Sequence, residues 1–160
     1  LHGIVEADET YIGGKPRGKK VPGQRRKSKR TPVIGAIERG GKVKAAPAPR
    51  VTTKLINYFL RSNVDPRSVL VTDYWPGYNE VRDWMQHVRI NHSKEYVRGD
   101  VYTNTIEGFW ALVKRAISGQ HHHYTVEHAG MYIDEAAYKY NTRKAEMPWD
   151  DFMLRACGVS

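Results

Sequence analysis

The period of hydrophobicity changes along this chain, and the order of those changes restricts the fold more than any single residue does. Three runs rich in β-forming residues come first, at 3–12, 32–38 and 42–46. Gly13-Gly14 stops the first, and the other two are joined by a tight Arg39-Gly40-Gly41 hairpin, so the three read as an antiparallel meander. A helix with a Thr cap is predicted over 53–60, followed by a short apolar run at 68–73 that reads as a buried strand with Asp73 at its carboxyl end. A short helix at 80–85 and a fifth strand at 87–92 precede a polar, irregular stretch up to Thr103. From Asn104, the apolar positions Ile106, Phe109, Trp110, Val113 and Ile117 keep helical spacing. After a break at Gly119, Val126, Ile133, Ala136, Ala137 and Tyr140 keep it again. The order predicts an α/β fold with a mixed five-stranded sheet flanked by helices.

With 160 residues, 40% of them hydrophobic, there is material for one ordinary core, and residues 1–160 are expected to form a single domain with a helical part at 125–157. Lys and Arg number 26 against 17 Asp and Glu, a net charge of +9. Such a balance favours a polyanionic partner, with nucleic acid the default candidate and a protein that merely happens to be basic the plainer alternative. Nine of the sixteen residues at 15–30 are Lys or Arg, none is acidic, and Gly and Pro interrupt any period. That segment reads as a mobile basic loop, either solvated or clamped on DNA. Lys15, Arg17, Lys19, Lys20, Arg25, Arg26 and Lys27 are its candidate phosphate contacts. A single cysteine, Cys157, excludes an internal disulfide framework and a Cys-rich zinc site, which fits an intracellular protein, cytoplasmic or nucleoid in a bacterium. No apolar run approaches the ~20 residues of a membrane span. The start Leu1-His2-Gly3 has neither an initiator Met nor a signal-peptide pattern, and a fragment of a longer protein is expected.

Three acidic residues fall at telling places. Asp8 lies in the first strand, Asp73 ends the fourth, and Glu107 starts the helix after the fifth, so three distant carboxylates can meet at one edge of the sheet. Phosphodiester chemistry on two Mg²⁺ ions about 3.5–4 Å apart needs a few such carboxylates, with waters and phosphate oxygens completing the shell. Each residue also has a plainer role. Asp8 stands near Glu6 and Glu9 and belongs equally to a solvated strand face, although alternation sends Glu6 and Asp8 to the same side. Asp73 precedes Tyr74-Trp75-Pro76-Gly77, where it can bond its own turn. Glu107, third in a helix capped by Asn104, completes a capping-box-like pattern. At 100° per residue, Asn104, Glu107, Ala111 and Lys114 form one stripe roughly opposite Phe109 and Val113. Lys114 on that stripe is either a phosphate contact or an ordinary exposed lysine.

The strings Val5-Glu6-Ala7-Asp8-Glu9-Thr10-Tyr11-Ile12-Gly13-Gly14-Lys15, Thr72-Asp73-Tyr74-Trp75-Pro76-Gly77-Tyr78 and Asn91-His92-Ser93-Lys94-Glu95-Tyr96-Val97-Arg98 resemble ISXO-type insertion-sequence transposases. So do Thr103-Asn104-Thr105-Ile106-Glu107-Gly108-Phe109-Trp110-Ala111-Leu112-Val113-Lys114-Arg115 and Tyr138-Lys139-Tyr140-Asn141-Thr142-Arg143. The resemblance runs in order from about Gly3 to Arg143 and extends more distantly to eukaryotic Merlin elements. It implies a ribonuclease H-like fold and an Asp-Asp-Glu/Asn site for Mg²⁺ or Mn²⁺, two ions, carried by Asp8, Asp73 and Glu107, with Asn104 as a competing third ligand. Lys114 and Arg115 would then hold phosphates. Also implied are metal-dependent cleavage at transposon ends, 3′-hydroxyl strand transfer, a homo-oligomer on DNA, and an N-terminal DNA-recognition domain outside this chain. Tyr102 departs from the pattern, standing where relatives usually carry His. That departure supports one rival, a catalytically inactive DNA-binding descendant. A second rival is another ribonuclease H-like nuclease, such as a resolvase. His121-His122-His123 reads as a loop, because consecutive residues rarely chelate together. Tyr124, Tyr132, Tyr138, Tyr140 and Trp149 read as core rather than as base-stacking platforms, and a last short helix is expected at 149–156.

Overall fold

Alternation along the first strand divides the molecule into two cores. In the computed structural model, which describes residues 1–13, 30–90, 103–119 and 125–145 together with Met153 and Cys157, β1 spans Ile4–Ile12. Val5 and Ala7 enter one core, while Glu6, Asp8 and Ile12 turn to the other side. Strand β2 (Thr31–Glu38) pairs antiparallel with β1 from Val5↔Glu38 to Ile12↔Thr31, and β3 (Val43–Pro47) pairs antiparallel with β2. The β2–β3 turn needs a glycine, since Gly40 has φ +71°, a conformation that L side chains rarely adopt.

Helix α1 (Thr53–Asn63) opens at Thr52, whose Oγ1 accepts from Leu55 N at 3.3 Å, and it buries Ile56, Phe59 and Leu60 against the sheet. The chain then returns as β4 (Val69–Asp73), parallel to β1, and β5 (Gln86–Ile90), parallel to β4. The strand order β3-β2-β1-β4-β5 is mixed, with β1 at its centre. Helices α2 (Asn104–Gly119) and α3 (Ala129–Thr142) cover the second face, where Ile106, Phe109, Trp110 and Val113 meet Ile12, Val33 and Ile37. Asn141 fixes α3 to β3 by accepting from Val43 N at 2.7 Å and donating to Val43 O at 3.0 Å.

Two expectations are corrected. The helix expected at 80–85 is a 3-10 helix over Pro76–Asp83, entered at a proline whose fixed φ suits a first helical turn. Val126 lies before α3 rather than in it, and its carbonyl accepts from Ala129 N at 3.2 Å. Tyr140 packs against the second core with its ring in edge contact with Phe109, as a core aromatic should. Lys15, Arg17, Lys19, Lys20, Arg25, Arg26, Lys27, Tyr102, the three histidines at 121–123, Tyr124 and Trp149 lie outside the described residues.

Candidate active site

The register of β1 on β4 brings the first two carboxylates together. Ile4 pairs with Val69, Val5 with Leu70 and Glu6 with Val71, and the same offset continued two residues sets Asp8 alongside Asp73. Neighbouring strands are only about 4.8 Å apart, so both carboxylates leave the sheet at one edge. Helix α2 packs across β1 and brings Glu107 near enough for its charge to act on Asp8. Burial pushes the Asp8 carboxyl up to about 6. The Asp73 and Glu107 carboxylates push the same way, against hydrogen bonds from the Glu9 backbone and the Trp110 indole.

Each of the three is held by a named partner. Asp8 Oδ2 accepts from Trp110 Nε1 at 3.0 Å. That indole lies over Gly35, the β2 residue directly opposite Asp8, where any Cβ would stand 2.6 Å from the ring. Asp73 Oδ1 accepts from Trp75 N at 3.0 Å, the local turn bond that its sequence context allows, and this bond orients the carboxylate at the strand end. Thr72 Oγ1 donates to Asp73 O at 2.8 Å and lies 2.8 Å from His87 Nε2, so in this pair the imidazole nitrogen carries the proton. Thr103 Oγ1 donates to Glu107 Oε1 at 3.3 Å.

The entry to α2 differs from the expected capping box. Its first turn closes with Glu107 N donating to Thr103 O, which makes Thr103 the cap residue and leaves Asn104 exposed as the first helical residue. The exposed stripe of Asn104, Glu107, Ala111 and Lys114 is present, with Arg115 also exposed beside it.

Sequence reasoning missed three features around this edge. Glu6 is fully buried rather than solvated. Glu9, on the opposite side of β1 from Asp8, accepts from the buried Tyr78 hydroxyl at 2.8 Å. Burial pushes Glu9 up to about 7; the Tyr78 bond opposes this, and the Asp8 and Asp73 charges add to it. Trp110 was legible as a core residue, but its indole N–H also needed a partner, and that need was the available signal for Asp8.

The carboxylates converge without closing a ligand shell, for among the described residues no group of three His, Cys, Asp or Glu side chains could hold a metal ion by itself. The donor set still suits a hard divalent cation. Asp8, Asp73 and Glu107 offer carboxylate oxygens, and among the described residues none of them has an ion-pair partner to offset their mutual repulsion. Mg²⁺ binds through one or two carboxylates plus water and substrate phosphate, so an open, repelling cluster of this kind fits it better than a closed cage would. Among the described residues no helix is long and apolar enough to cross a membrane.

Comparison with known proteins bears on the family and the fold. The family model of the ISXO2-like transposase domain matches residues 1–141. An uncharacterized transposase-like protein of Haemophilus influenzae is 29% identical over 102 residues, covering 62% of this chain and 81% of that protein. Among solved structures, the catalytic core domain of BIV integrase superposes with a TM-score of 0.60 at 14% identity, covering 99% of this chain and 98% of that one. The fold is therefore ribonuclease H-like. A chain of a pre-cleavage Mos1 transpososome matches with a TM-score of 0.48 at 16% identity, and this chain spans 52% of it.

Proposed function

Since this chain belongs to the ISXO2-like transposase domain family, we propose that it cuts DNA at the ends of an insertion sequence and joins the freed 3′-hydroxyl to a target, with Asp8, Asp73 and Glu107 as its catalytic carboxylates. The observation that carries the reading is the parallel register of β1 on β4 that carries Asp8 toward Asp73, with the charges of Asp73 and of Glu107 on α2 both acting on the buried Asp8. The residues that would hold Mg²⁺ or Mn²⁺, two ions, are these three. Bound there, such ions supply Lewis-acid polarisation of the scissile phosphate and an acidified water or 3′-hydroxyl as nucleophile.

The protein's own groups have distinct tasks in this proposal. Asp8 and Asp73 project from the neighbouring strands β1 and β4, and the Trp110 indole and the Trp75 backbone fix their orientation. Glu107 takes the third position in preference to Asn104, because it carries charge and already acts on Asp8. Lys114 and Arg115, exposed along α2, hold phosphates near the cut, and Lys15, Arg17, Lys19, Lys20, Arg25, Arg26 and Lys27 extend that grip. The partner is double-stranded DNA, both transposon end and target. Two ends must be brought together, so a homo-oligomer forms on DNA. The chain acts inside the cell as one catalytic domain, with end recognition supplied by a further domain.

A second reading, an inactive DNA-binding descendant, draws on Tyr102. The test is a Mg²⁺- or Mn²⁺-dependent cleavage and joining assay with the full-length protein on its own labelled ends, beside Asp73→Ala, Glu107→Gln and Asn104→Ala. The first two should each lower cleavage on the order of 10²-fold or more, since loss of mere outer-shell partners of a metal already costs about 10–100-fold. Asn104→Ala should retain most activity. Salt-sensitive binding by the folded wild-type protein with neither cleavage nor joining would favour the inactive descendant. Cleavage of branched DNA without joined product would favour a resolvase-like nuclease.

A further inference from the structure

The first turn of an α-helix carries backbone N–H groups with no partner inside the helix, and a local Ser, Thr, Asp or Asn side chain usually accepts from them. In α2 that role passes to a residue about a hundred positions away. Glu6 of β1 has no solvent exposure, and its Oε2 accepts from Thr105 N at 2.9 Å and Ile106 N at 3.1 Å. Its Oε1 accepts from Thr105 Oγ1 at 2.9 Å and Arg39 Nε at 2.8 Å. Arg39, just past β2, is itself largely buried, with 15% of its side chain exposed. One carboxylate thus ties the central strand, the β2–β3 turn and the start of α2 together.

The position of that tie gives it meaning for the site. Glu6 and Asp8 lie on the same side of β1, two residues apart, while Glu107 follows Ile106 directly in α2. Whatever holds Thr105 and Ile106 to Glu6 therefore sets how far Glu107 stands from Asp8. A neutral amide could not replace the carboxylate, because its NH₂ would point a donor at donors on one side or the other.

We propose that Glu6, backed by Arg39, is a positioning residue that clamps the first turn of α2 to β1 and so sets the reach of Glu107 toward Asp8. This rests on the reading of Asp8 and Glu107 as metal-binding carboxylates. Glu6 touches neither the ions nor the DNA. A buried ion pair kept only for stability would act differently: its loss would loosen the whole sheet and leave a refolded site unchanged.

The first arm of the test needs no variant. Hydrogen exchange in the full-length protein should show the Thr105 and Ile106 amides protected like those of the helix interior, although at this place in a helix they would ordinarily exchange freely. Exchange at the rate of free first-turn amides would overturn the proposal. The second arm compares Glu6→Gln, which removes the carboxylate that Arg39 Nε meets and can fail to fold, with the charge-balanced pair Glu6→Gln/Arg39→Gln. It also includes Thr105→Val, which removes only one bond. In the folded variants Mn²⁺ binding, followed by the loss of free-ion electron paramagnetic resonance signal, should weaken at least tenfold in the double variant and less in Thr105→Val. Affinity for end DNA without metal should stay within twofold. Wild-type Mn²⁺ affinity in a folded double variant would overturn the clamp. Unchanged Mn²⁺ affinity in Glu107→Gln, a separate variant, would instead overturn the reading of the site, and the clamp's role in it would fall with that.

Discussion

Replacing Gly35 by Ala tests how the sheet holds Asp8. The added Cβ would lie 2.6 Å from Cη2 and Cζ2 of Trp110, whereas carbon atoms rest at about 3.5–4.0 Å, so the indole must retreat by about 1 Å. It has little room to do so, because Trp110 is only 3% exposed and packs against Phe109. Overpacking of this kind costs about 1–3 kcal/mol, and the stiffer unfolded chain of an alanine variant returns about 0.4–1. The net expectation is a loss of about 1–2 kcal/mol, or about 2–8 °C in Tm for a chain of this size. Urea denaturation followed by circular dichroism measures the loss. The Trp110 indole N–H resonance should shift as its bond to Asp8 Oδ2 lengthens. A Trp110→Phe background, with its smaller ring, should tolerate Gly35→Ala better than the wild-type background does, so the two substitutions should be coupled rather than additive. An alanine variant with wild-type stability and an unmoved indole resonance would refute the reasoning.

Two further outcomes follow from other parts of the molecule. Burial, with Arg89 and Arg82 adding to it, holds His87 down to about 4, so the unfolded chain binds the extra proton first: its stabilising effect is complete above about 6.5 and is lost as pH falls toward 4. For this half-buried ring the effect, reduced for solvent screening, is about 1–2 kcal/mol, and His87→Gln should flatten the difference in urea midpoint between pH 7 and pH 4.5; an equal pH dependence in the variant would count against it. Changing Lys15, Arg17, Lys19 and Lys20 together to Gln should reduce the slope of log K for DNA against log salt by about 3 to 4 if all four meet phosphates, as filter binding at several salt concentrations would read; an unchanged slope would mean a solvated loop.

The framework was legible because strands and helices announce themselves by period. Val5 and Ala7 alternate with Glu6 and Asp8, and Ile106, Phe109, Trp110 and Val113 keep helical spacing, so the sheet, its mixed character and both closing helices followed from pattern. The entry to α2 was misread for a physical reason. A capping pattern is local, and Asn104-x-x-Glu107 satisfies it on paper, but Glu107 N already bonds Thr103 O, and the open first-turn donors, Thr105 N and Ile106 N, go to Glu6, from the other end of the chain. The 3-10 helix was missed at its start because Pro76-Gly77 reads equally as a turn. There a Cβ on residue 77 would stand 1.6 Å from the ring of Trp75, two residues back, so the turn needs glycine for a local reason that depends on the Trp75 side-chain conformation. Burial of Glu6 was foreshadowed only by its sharing a strand face with Asp8, since an acidic residue gives no sign of whether a cation awaits it.

The clamp and the indole bond also bear on when during folding the site comes into being. The contacts that join α2 to β1 span 99, 100 and 102 positions, whereas the sheet itself is built from the first 90 residues. Closing loops of that length is slow and late compared with pairing a hairpin. A chain still emerging from the ribosome can therefore display Asp8 and Asp73 side by side while lacking the third carboxylate. The proposed site is complete only once translation has passed α2 and that helix has docked, so a shorter product carries two of its three carboxylates.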